Sequence, residues 1–383
     1  MELTSKELQR YSRHLRLPGF TSSKQQALKN SRVLVVGAGG LGCPVLTYLA
    51  AAGVGTIGIA DDDVISLSNL QRQMLFTEHD LGKLKATTAA GKLREMNSGS
   101  VMMTHLDRVH RENALGLLGN YDVVVDCTDN FPAKYLLNDA AVLAGKPIVF
   151  GSCLGYEGQV SVFNVKSGSG TYSTNYRDIF PKPPEPETVQ NCESAGVFGF
   201  ACGIIGAIQA GEVIKLITGE GELLADRFLI FDAASMQQSV YNIKNRQARS
   251  TIKELINYED FCGISPEKSK SLSHKANAMK EITVQQLKEM KDSGADFQLI
   301  DVREPYEYDI CHIGGELIPM SELPHHVDKV SRDRQVVIHC RSGKRSGDML
   351  LWLEKNHDFD NLYNLKGGIL AWAKDIDPSM PTY

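Results

Sequence analysis

The sequence predicts an α/β protein: a doubly wound, mostly parallel sheet with an antiparallel extension, followed by a second, smaller α/β domain. Three observations predict it. Short runs rich in valine and isoleucine alternate with helical stretches through the first 150 residues, as they do when crossover helices join parallel strands. After Gly151 the pattern turns to polar–apolar alternation, which suits antiparallel strands. Residues 263–280 (GISPEKSKSLSHKANAMK) are polar without apolar period and read as a linker, beyond which the α/β pattern resumes. A chain of 383 residues is long enough for two domains. The expected boundaries are 1–262, 263–280 and 281–383.

Each element follows in order. RVLVV at 32–36 is a strand, a glycine turn follows it, and a helix runs to about Ala52. TIGIA at 56–60 is a strand ending before Asp61; 82–96 is helical; DVVVD at 122–126 is a third strand. A helix over 132–144 leads to the strand PIVF at 147–150. QVSVFNV at 159–165 alternates as an antiparallel strand. Residues 166–191, rich in Gly, Ser and Pro, form a long loop, and loops of that length are usually functional or disordered. A helix of small and apolar residues covers 197–217, and 228–232 with 237–243 form a hairpin. In the second domain, strands fall at 297–300 and 335–339.

Composition is that of an ordinary globular chain, 42% hydrophobic and 23% charged, which supports a core without metal or disulfides. A net charge of −5 argues against a general nucleic-acid binder. No stretch approaches the ~20 apolar residues that span a bilayer, and the polar N-terminus lacks the apolar core of a signal peptide. Eight irregularly placed cysteines point to a reducing cytoplasm and not to a disulfide framework. Cys43, Cys127, Cys153 and Cys202 lie among apolar or small residues and read as core-filling thiols; Cys192, Cys262, Cys311 and Cys340 lie in polar settings.

Gly37-Ala38-Gly39-Gly40-Leu41-Gly42 satisfies G-x-G-x-x-G between a strand and a helix. Gly37, Gly39, Gly40 and Gly42 let a phosphate approach the helix N-terminus, and Asp61, at the end of the next strand, can accept from ribose hydroxyls. Alone, this is a dinucleotide fingerprint, open to a nicotinamide or flavin enzyme. The following loop, Asp61 to Gln73, carries amides and Arg72, and Lys85 comes soon after. Asp129 sits just past a parallel strand, at the end of the sheet where ligands bind. Two cations suit a triphosphate and a carboxylate beside phosphates suits Mg²⁺, so the set favours ATP. Singly, Arg72 and Lys85 also read as surface charges and Asp129 as a helix cap.

R-x-x-R-H-L-x-L-P-G-F at 10–20, GAGGLGCP at 37–44, D-x-D-V-I-x-x-S-N-L-Q-R-Q at 61–73 and DCTDN at 126–130 resemble the adenylyltransferases that activate ubiquitin-like sulfur carriers, relatives of the ubiquitin-activating enzymes. Molybdopterin-synthase adenylyltransferase and its thiazole-synthesis counterpart are such enzymes. The resemblance covers about 1–262. It implies a Rossmann-like fold and an ATP site lined by Gly40, Asp61, Ser68, Asn69, Leu70, Gln71, Arg72, Lys85, Asp129 and Asn130. It implies a homodimer in which Arg13 reaches the partner's ATP, and a carrier protein ending in Gly-Gly as substrate. Gly151-Ser152 is small enough to admit such a tail. It further implies that Cys192, on the long loop, is a nucleophile. The family commonly carries two C-x-x-C pairs for structural zinc. Here they align with Asn175-Tyr176-Arg177-Asp178 and Glu259-Asp260-Phe261-Cys262, a poor tetrahedral set, so no zinc is expected and Cys262 reads as an isolated thiol.

In the last hundred residues, DVREPYEY at 301–308, Cys311-His312-Ile313-Gly314-Gly315 and His339-Cys340-Arg341-Ser342-Gly343-Lys344-Arg345-Ser346 resemble a rhodanese domain. Successive N–H groups at a strand-to-helix turn make an anion nest, and Arg341, Lys344 and Arg345 add positive charge, so a thiolate or persulfide on Cys340 is stabilised there. A cysteine phosphatase places arginine six residues after its cysteine; here Arg345 is the fifth and Ser346 the sixth, and the shorter loop favours sulfur over phosphate. Cys311 aligns with no expected nucleophile.

The expected chemistry is ATP-dependent adenylation of the carrier's terminal carboxylate, then sulfur transfer from a Cys340 persulfide charged by a cysteine desulfurase or another sulfane donor. Two other readings stay open: an NAD-dependent oxidoreductase fused to a sulfurtransferase, and an activating enzyme for protein conjugation in which the rhodanese unit only docks.

Overall fold

A computed structural model of the chain describes residues 3–184, 196–244, 248–263 and 279–382. It divides into two units, Met1–Ser265 and Pro266–Tyr383. Cys192 and most of the 263–280 segment lie outside the described residues.

In the first unit, helices α1 (Ser5–Arg10) and α2 (Ser22–Asn30) precede the sheet. Then follow β1 (Arg32–Val36), α3 (Gly42–Ala52), β2 (Thr56–Ala60), α4 (Lys85–Met96), β3 (Val101–His105), α5 (Ala114–Gly119), β4 (Val123–Asp126), α6 (Phe131–Ala144), β5 (Ile148–Leu154) and β6 (Glu157–Phe163). The short α7 (Tyr176–Ile179), the long α8 (Gly199–Thr218), β7 (Arg227–Asp232), β8 (Gln237–Asn242) and α9 (Tyr258–Phe261) complete it. The eight strands lie in the order β3-β2-β1-β4-β5-β6-β7-β8. They are parallel from β3 to β5, and the pairs β5–β6, β6–β7 and β7–β8 are antiparallel.

Alternation along each strand builds two cores. Val33 and Val35 face a layer containing Leu46, Leu49, Ala86, Ala89, Ile205 and Val213. Leu34 and Val36 face the opposite layer, with Leu118, Tyr135, Leu136 and Leu137. Two sequence expectations change. β3 was not foreseen, because at the sheet edge only one side of VMMTH needs to be apolar. The expectation that no stretch approaches membrane-spanning length is also corrected: α8 is long and apolar enough by those two measures alone. It is nevertheless a core helix. Gln209 Nε2 donates to the Asp126 carbonyl (2.9 Å), and the Glu212 carboxylate accepts from the Leu224 amide (2.8 Å), both buried in protein. Gly206 lets α3 approach, since a Cβ there would lie 2.7 Å from the Leu41 carbonyl.

The second unit holds β9 (Glu281–Ile282), α10 (Val284–Asp292), β10 (Phe297–Asp301), α11 (Pro305–Ile310), β11 (Glu316–Leu317), β12 (Gln335–His339), α12 (Lys344–His357), β13 (Leu362–Leu365) and α13 (Gly368–Asp375). Its five strands are all parallel, in the order β11-β10-β12-β13-β9. The two-residue strands β9 and β11 are too short to carry a sequence period. Inside the unit, fully buried Arg303 forms an ion pair with Asp301 (2.6 Å) and donates to the carbonyls of Glu307 and Cys311.

Gln209→Leu keeps the volume but strips the hydrogen bond from a strand carbonyl under the sheet. It should cost about 1–3 kcal/mol, read as a lower urea midpoint by circular dichroism. An unchanged midpoint would remove this tie from the account.

Candidate functional site

β1 lies between β2 and β4, so the chain leaves β1 first to one side and later to the other. At such a switch point the loops beyond the strand ends diverge and leave a crevice. The glycine turn fills its base. Gly37 has φ 94°, and a Cβ there would sit 2.7 Å from the Cys127 carbonyl. A Cβ on Gly42 would sit 2.0 Å from the Gly37 carbonyl. These two positions therefore require glycine for backbone-on-backbone packing. Gly39 and Gly40 are half-buried on the turn.

Asp61 holds the turn in place. Its Oδ2 accepts from the Ala38 amide (2.7 Å) and its Oδ1 from the Asp63 amide (2.9 Å). Burial raises its pKa, and the two amide bonds oppose the rise. Lone pairs remain on both oxygens for ribose hydroxyls. Lys85 is buried and pairs with Asp63 (2.8 Å), which overturns its reading as a surface charge. Half-buried Arg72 donates to the Ser68 carbonyl (3.1 Å), and its stem packs on Gly40. Asn69 accepts from the Ser66 amide (3.1 Å), the Ser68 hydroxyl pairs with that of Ser66, Leu70 packs against the core and Gln71 is exposed. Asp129 is exposed beyond β4. The cap of α6 is its neighbour Asn130, whose Oδ1 accepts from the Ala133 amide (3.0 Å), so the capping reading of Asp129 falls. Arg13 is exposed immediately before the short turn His14–Arg16.

Sequence reasoning passed over two side chains here. Gln73 is buried beside Gly39, and its Oε1 finds no hydrogen-bond partner among the described residues. A buried acceptor of this kind takes its donor from water, an ion's hydration shell or a ligand. Its only sequence signal was its place in the 61–73 motif. Lys134 is the other: buried in α6, it donates to the Gly151 carbonyl (2.8 Å) and to Asp126 (3.3 Å). Asp126 in turn accepts from the amide (2.9 Å) and hydroxyl (2.6 Å) of Thr128, fixing the loop that carries Asp129. A lysine inside a helical pattern gives no hint of this.

In the second unit, Cys340 ends β12 and is only 1% exposed. Cys262 and Cys311 are buried too. The Cys340 Sγ accepts from the Gly343 amide (3.2 Å), and the Ser346 hydroxyl stands 3.4 Å away. Gly368 braces the loop: its Cβ would lie 2.5 Å from the Cys340 carbonyl. Arg341, Ser342 and Lys344 are exposed on the loop. Arg345 is different. Both its terminal nitrogens donate to the buried Glu307 carboxylate (2.7 Å each), so its charge is neutralised locally and it ties α12 to α11. Behind Cys340, His339 is fully buried, with its Nε2 3.6 Å from the Asp301 carboxylate. Burial holds its pKa down at about 4.

The positions that align with zinc-binding cysteine pairs hold a different cross-link. Arg177 donates to both oxygens of buried Asp139 (2.8 and 2.7 Å), and the Tyr258 hydroxyl donates to the same carboxylate (2.7 Å). The guanidinium lies 5.0 Å from the Tyr135 ring centre and 4.7 Å from that of Phe261. The residues therefore do not fit tetrahedral zinc: a cation and rings occupy the space where thiolates would converge. This clasp joins α7 and α9 to α6.

Residues 11–252 match the ThiF family and residues 283–375 the rhodanese-like domain. The chain is 44% identical over its whole length to a Mycobacterium tuberculosis protein named probable adenylyltransferase/sulfurtransferase MoeZ, of which it covers 96%. It is 38% identical to the Danio rerio protein named adenylyltransferase and sulfurtransferase MOCS3, covering 100% of this chain and 88% of that one. Among solved structures, E. coli MccB in complex with MccA-N7isoASN matches at TM-score 0.55 and 24% identity, over 64% of this chain and 74% of that one. PaaA matches at TM-score 0.53 and 22% identity, over 63% and 75%. Those two structures bear on the fold alone.

Two tests follow from the geometry. Asp139→Asn should leave half-buried Arg177 without its counter-charge at a cost of about 1–3 kcal/mol, while chelators leave the wild-type urea midpoint unmoved; stoichiometric zinc in protein made in metal-free buffer would overturn the clasp. The second concerns His339. Its folded pKa lies below the ordinary 6.5, so the unfolded chain binds the extra proton. Stability of the second unit is complete above pH 6.5 and falls as pH drops towards about 4, by about 3 kcal/mol in all. Both tryptophans, Trp352 and Trp372, lie in this unit, so their emission during urea unfolding at several pH values reads it directly. A pH-independent midpoint would contradict the assignment.

Proposed function

This chain belongs to the ThiF family and ends in a rhodanese-like domain, and on that premise we propose that it adenylates the C-terminal glycine of a ubiquitin-like sulfur carrier and then transfers sulfur from a Cys340 persulfide to give a thiocarboxylate. It is an enzyme, and ATP is the substrate of its first half. The observation that carries the reading is one chain holding both a glycine turn braced by Asp61 and a cysteine at a strand end that accepts from the Gly343 amide. Whole-length relatives named for both activities favour this over a nicotinamide enzyme.

The carrier's carboxylate is ionised at neutral pH, so no general base is needed. It attacks the α-phosphorus of ATP, pyrophosphate leaves, and an acyl adenylate forms. Positioning and charge neutralisation do most of the work. Gly37, Gly39, Gly40 and Gly42 give the phosphates access to turn and helix amides. Ser68, Asn69, Leu70, Gln71 and Asn130 line the crevice with Asp61, and Arg72 and Lys85 face the phosphates. Asp129, exposed beyond β4, would hold Mg²⁺, which would screen the phosphate charge; a single carboxylate suits an ion bound largely through phosphate oxygens. Arg13 reaches the nucleotide of the second protomer of a homodimer.

The persulfide on Cys340 comes from a cysteine desulfurase or another sulfane donor. Its terminal sulfur attacks the acyl carbon and expels AMP, leaving an acyl disulfide on Cys340. The Cys192 thiolate, or a reductant, attacks the Cys340 sulfur of that bond; the thiocarboxylate leaves and a disulfide to Cys340 remains. The amides of Gly343 and its neighbours stabilise each thiolate as it forms. The thiocarboxylate serves synthesis of molybdopterin, thiamine or a related sulfur compound. Free thiols throughout the described residues suit a reducing cytoplasm.

Cys340→Ala should abolish thiocarboxylate formation, read by intact mass of the carrier, while ATP–pyrophosphate exchange stays within about two-fold of wild type. Loss of both would end the division of labour. A stable carrier thioester on Cys192 with no need for Cys340 would instead establish the conjugation reading. Asp129→Ala should cut exchange by at least ~100-fold, the size of a lost electrostatic contact in a transition state; unaltered exchange would remove Asp129 from the metal site.

A further inference from the structure

The four cysteines that read as core filler gather around the glycine turn. The Cys43 thiol donates to the Ala38 carbonyl (3.5 Å), and Cys127 lies against Gly37 and Gly42. The Cys202 Sγ stands 3.1 Å from where a Cβ on Gly40 would be, beside the Arg72 stem at 3.4 Å. Cys202, in the first turn of α8, also meets a second thiol: it is hydrogen-bonded to Cys153, near the end of β5. The packing explains the meeting. Gln209 lies on Gly151 and Ile205 on Gly158, the partner of Cys153 across β5–β6, so the start of α8 falls over Cys153.

Core filling does not account for the chemistry of this pair. A buried thiol is ordinarily pushed towards its neutral form. That happens to Cys43, raised to about 12, and to Cys127. Cys202 is drawn the other way, first by the bond from Cys153 and, against its burial, by the Arg72 charge. Its place in the first turn of a twenty-residue helix favours the thiolate further. A thiol drawn towards its ionised form and hydrogen-bonded to a second thiol is the arrangement from which a disulfide closes.

We propose that Cys153 and Cys202 are an oxidation site: a dithiol that hydrogen peroxide closes to a disulfide, slowing adenylate formation. The Cys202 thiolate attacks one peroxide oxygen, the O–O bond breaks, and a sulfenic acid and hydroxide result. The Cys153 sulfur then attacks the sulfenyl sulfur, its proton leaves, and hydroxide departs. Two thiol hydrogens are lost in total and peroxide is reduced to two waters. The new bond draws the sulfurs to about 2.05 Å. Cys202 Sγ and the Arg72 stem both pack on Gly40, so the shift is taken up at the floor of the nucleotide crevice. A dithiol reductant reverses it by exchange.

The test uses the full chain, treated with hydrogen peroxide, alkylated and digested without reduction. Peptide mass should show Cys153 joined to Cys202. ATP–pyrophosphate exchange should fall at least five-fold, and dithiothreitol should restore it. Cys153→Ser should keep its exchange under the same treatment. Absence of the linked peptide overturns the proposal, as does a loss of exchange that Cys153→Ser shares. The exchange arm rests on the nucleotide reading, and the mass arm does not. A linked peptide in a chain with no exchange before treatment would therefore uphold the dithiol and fault the proposed function.

Discussion

The first half of this protein depends on one close approach: the Gly37 Cα against the Cys127 carbonyl at the end of β4. No side chain fits there, and the backbone takes φ 94° to make it. The contact brings the loop after β1 against the loop after β4, so the helix that begins at Gly42 and the loop that carries Asp129 open onto the same crevice. Asp61, just after β2, completes the arrangement by accepting the Ala38 amide of the glycine turn and the Asp63 amide of its own loop. Backbone packing sets this arrangement first and side chains second.

Loops beyond strand ends need a further constraint, and in both halves a buried ion pair supplies it. Lys134 with Asp126 fixes the approach to Asp129, Arg177 with Asp139 ties the later segments to α6, and Arg303 with Asp301 anchors the loop leading to α11. Such pairs cost desolvation on formation and contribute little net stability against an apolar substitute. Their value lies in geometry: every hydrogen-bonding direction of a buried carboxylate has to be matched, which admits one arrangement of the chain. Arg345 with Glu307 belongs to the same pattern and braces α12 against α11.

The cysteines divide by environment, not by position in the chain. Cys340 is as buried as any core thiol, yet it receives the Gly343 amide and sits at the mouth of a loop. Cys202 is buried as well, but Arg72 and Cys153 offset what burial does to it. Cys262 packs among aromatic rings, and the Arg177 charge falls short of offsetting its burial, so it is pushed up to about 11. Burial alone therefore does not sort reactive sulfur from inert sulfur; the donors and charges that accompany it do.

The sequence by itself determined the doubly wound sheet, the glycine turn, the acid at the end of β2 and the cysteine loop after β12, because each depends on residue type over a short span. Period-two and period-3.6 patterns carry the strands and helices, positive φ and close packing demand glycine, and loop length counts out the distance from Cys340 to Arg345. Edge strand β3 and the two-residue strands escaped because so little of each is buried on both faces. Only the tertiary structure decided who partners whom: that Lys85 is buried against Asp63, that Asn130 and not Asp129 caps α6, that Arg345 belongs to Glu307, and that Cys153 meets Cys202. Those facts join residues tens of positions apart or turn on a side chain's direction. Both are fixed by how helices pack on the sheet, which no local pattern records.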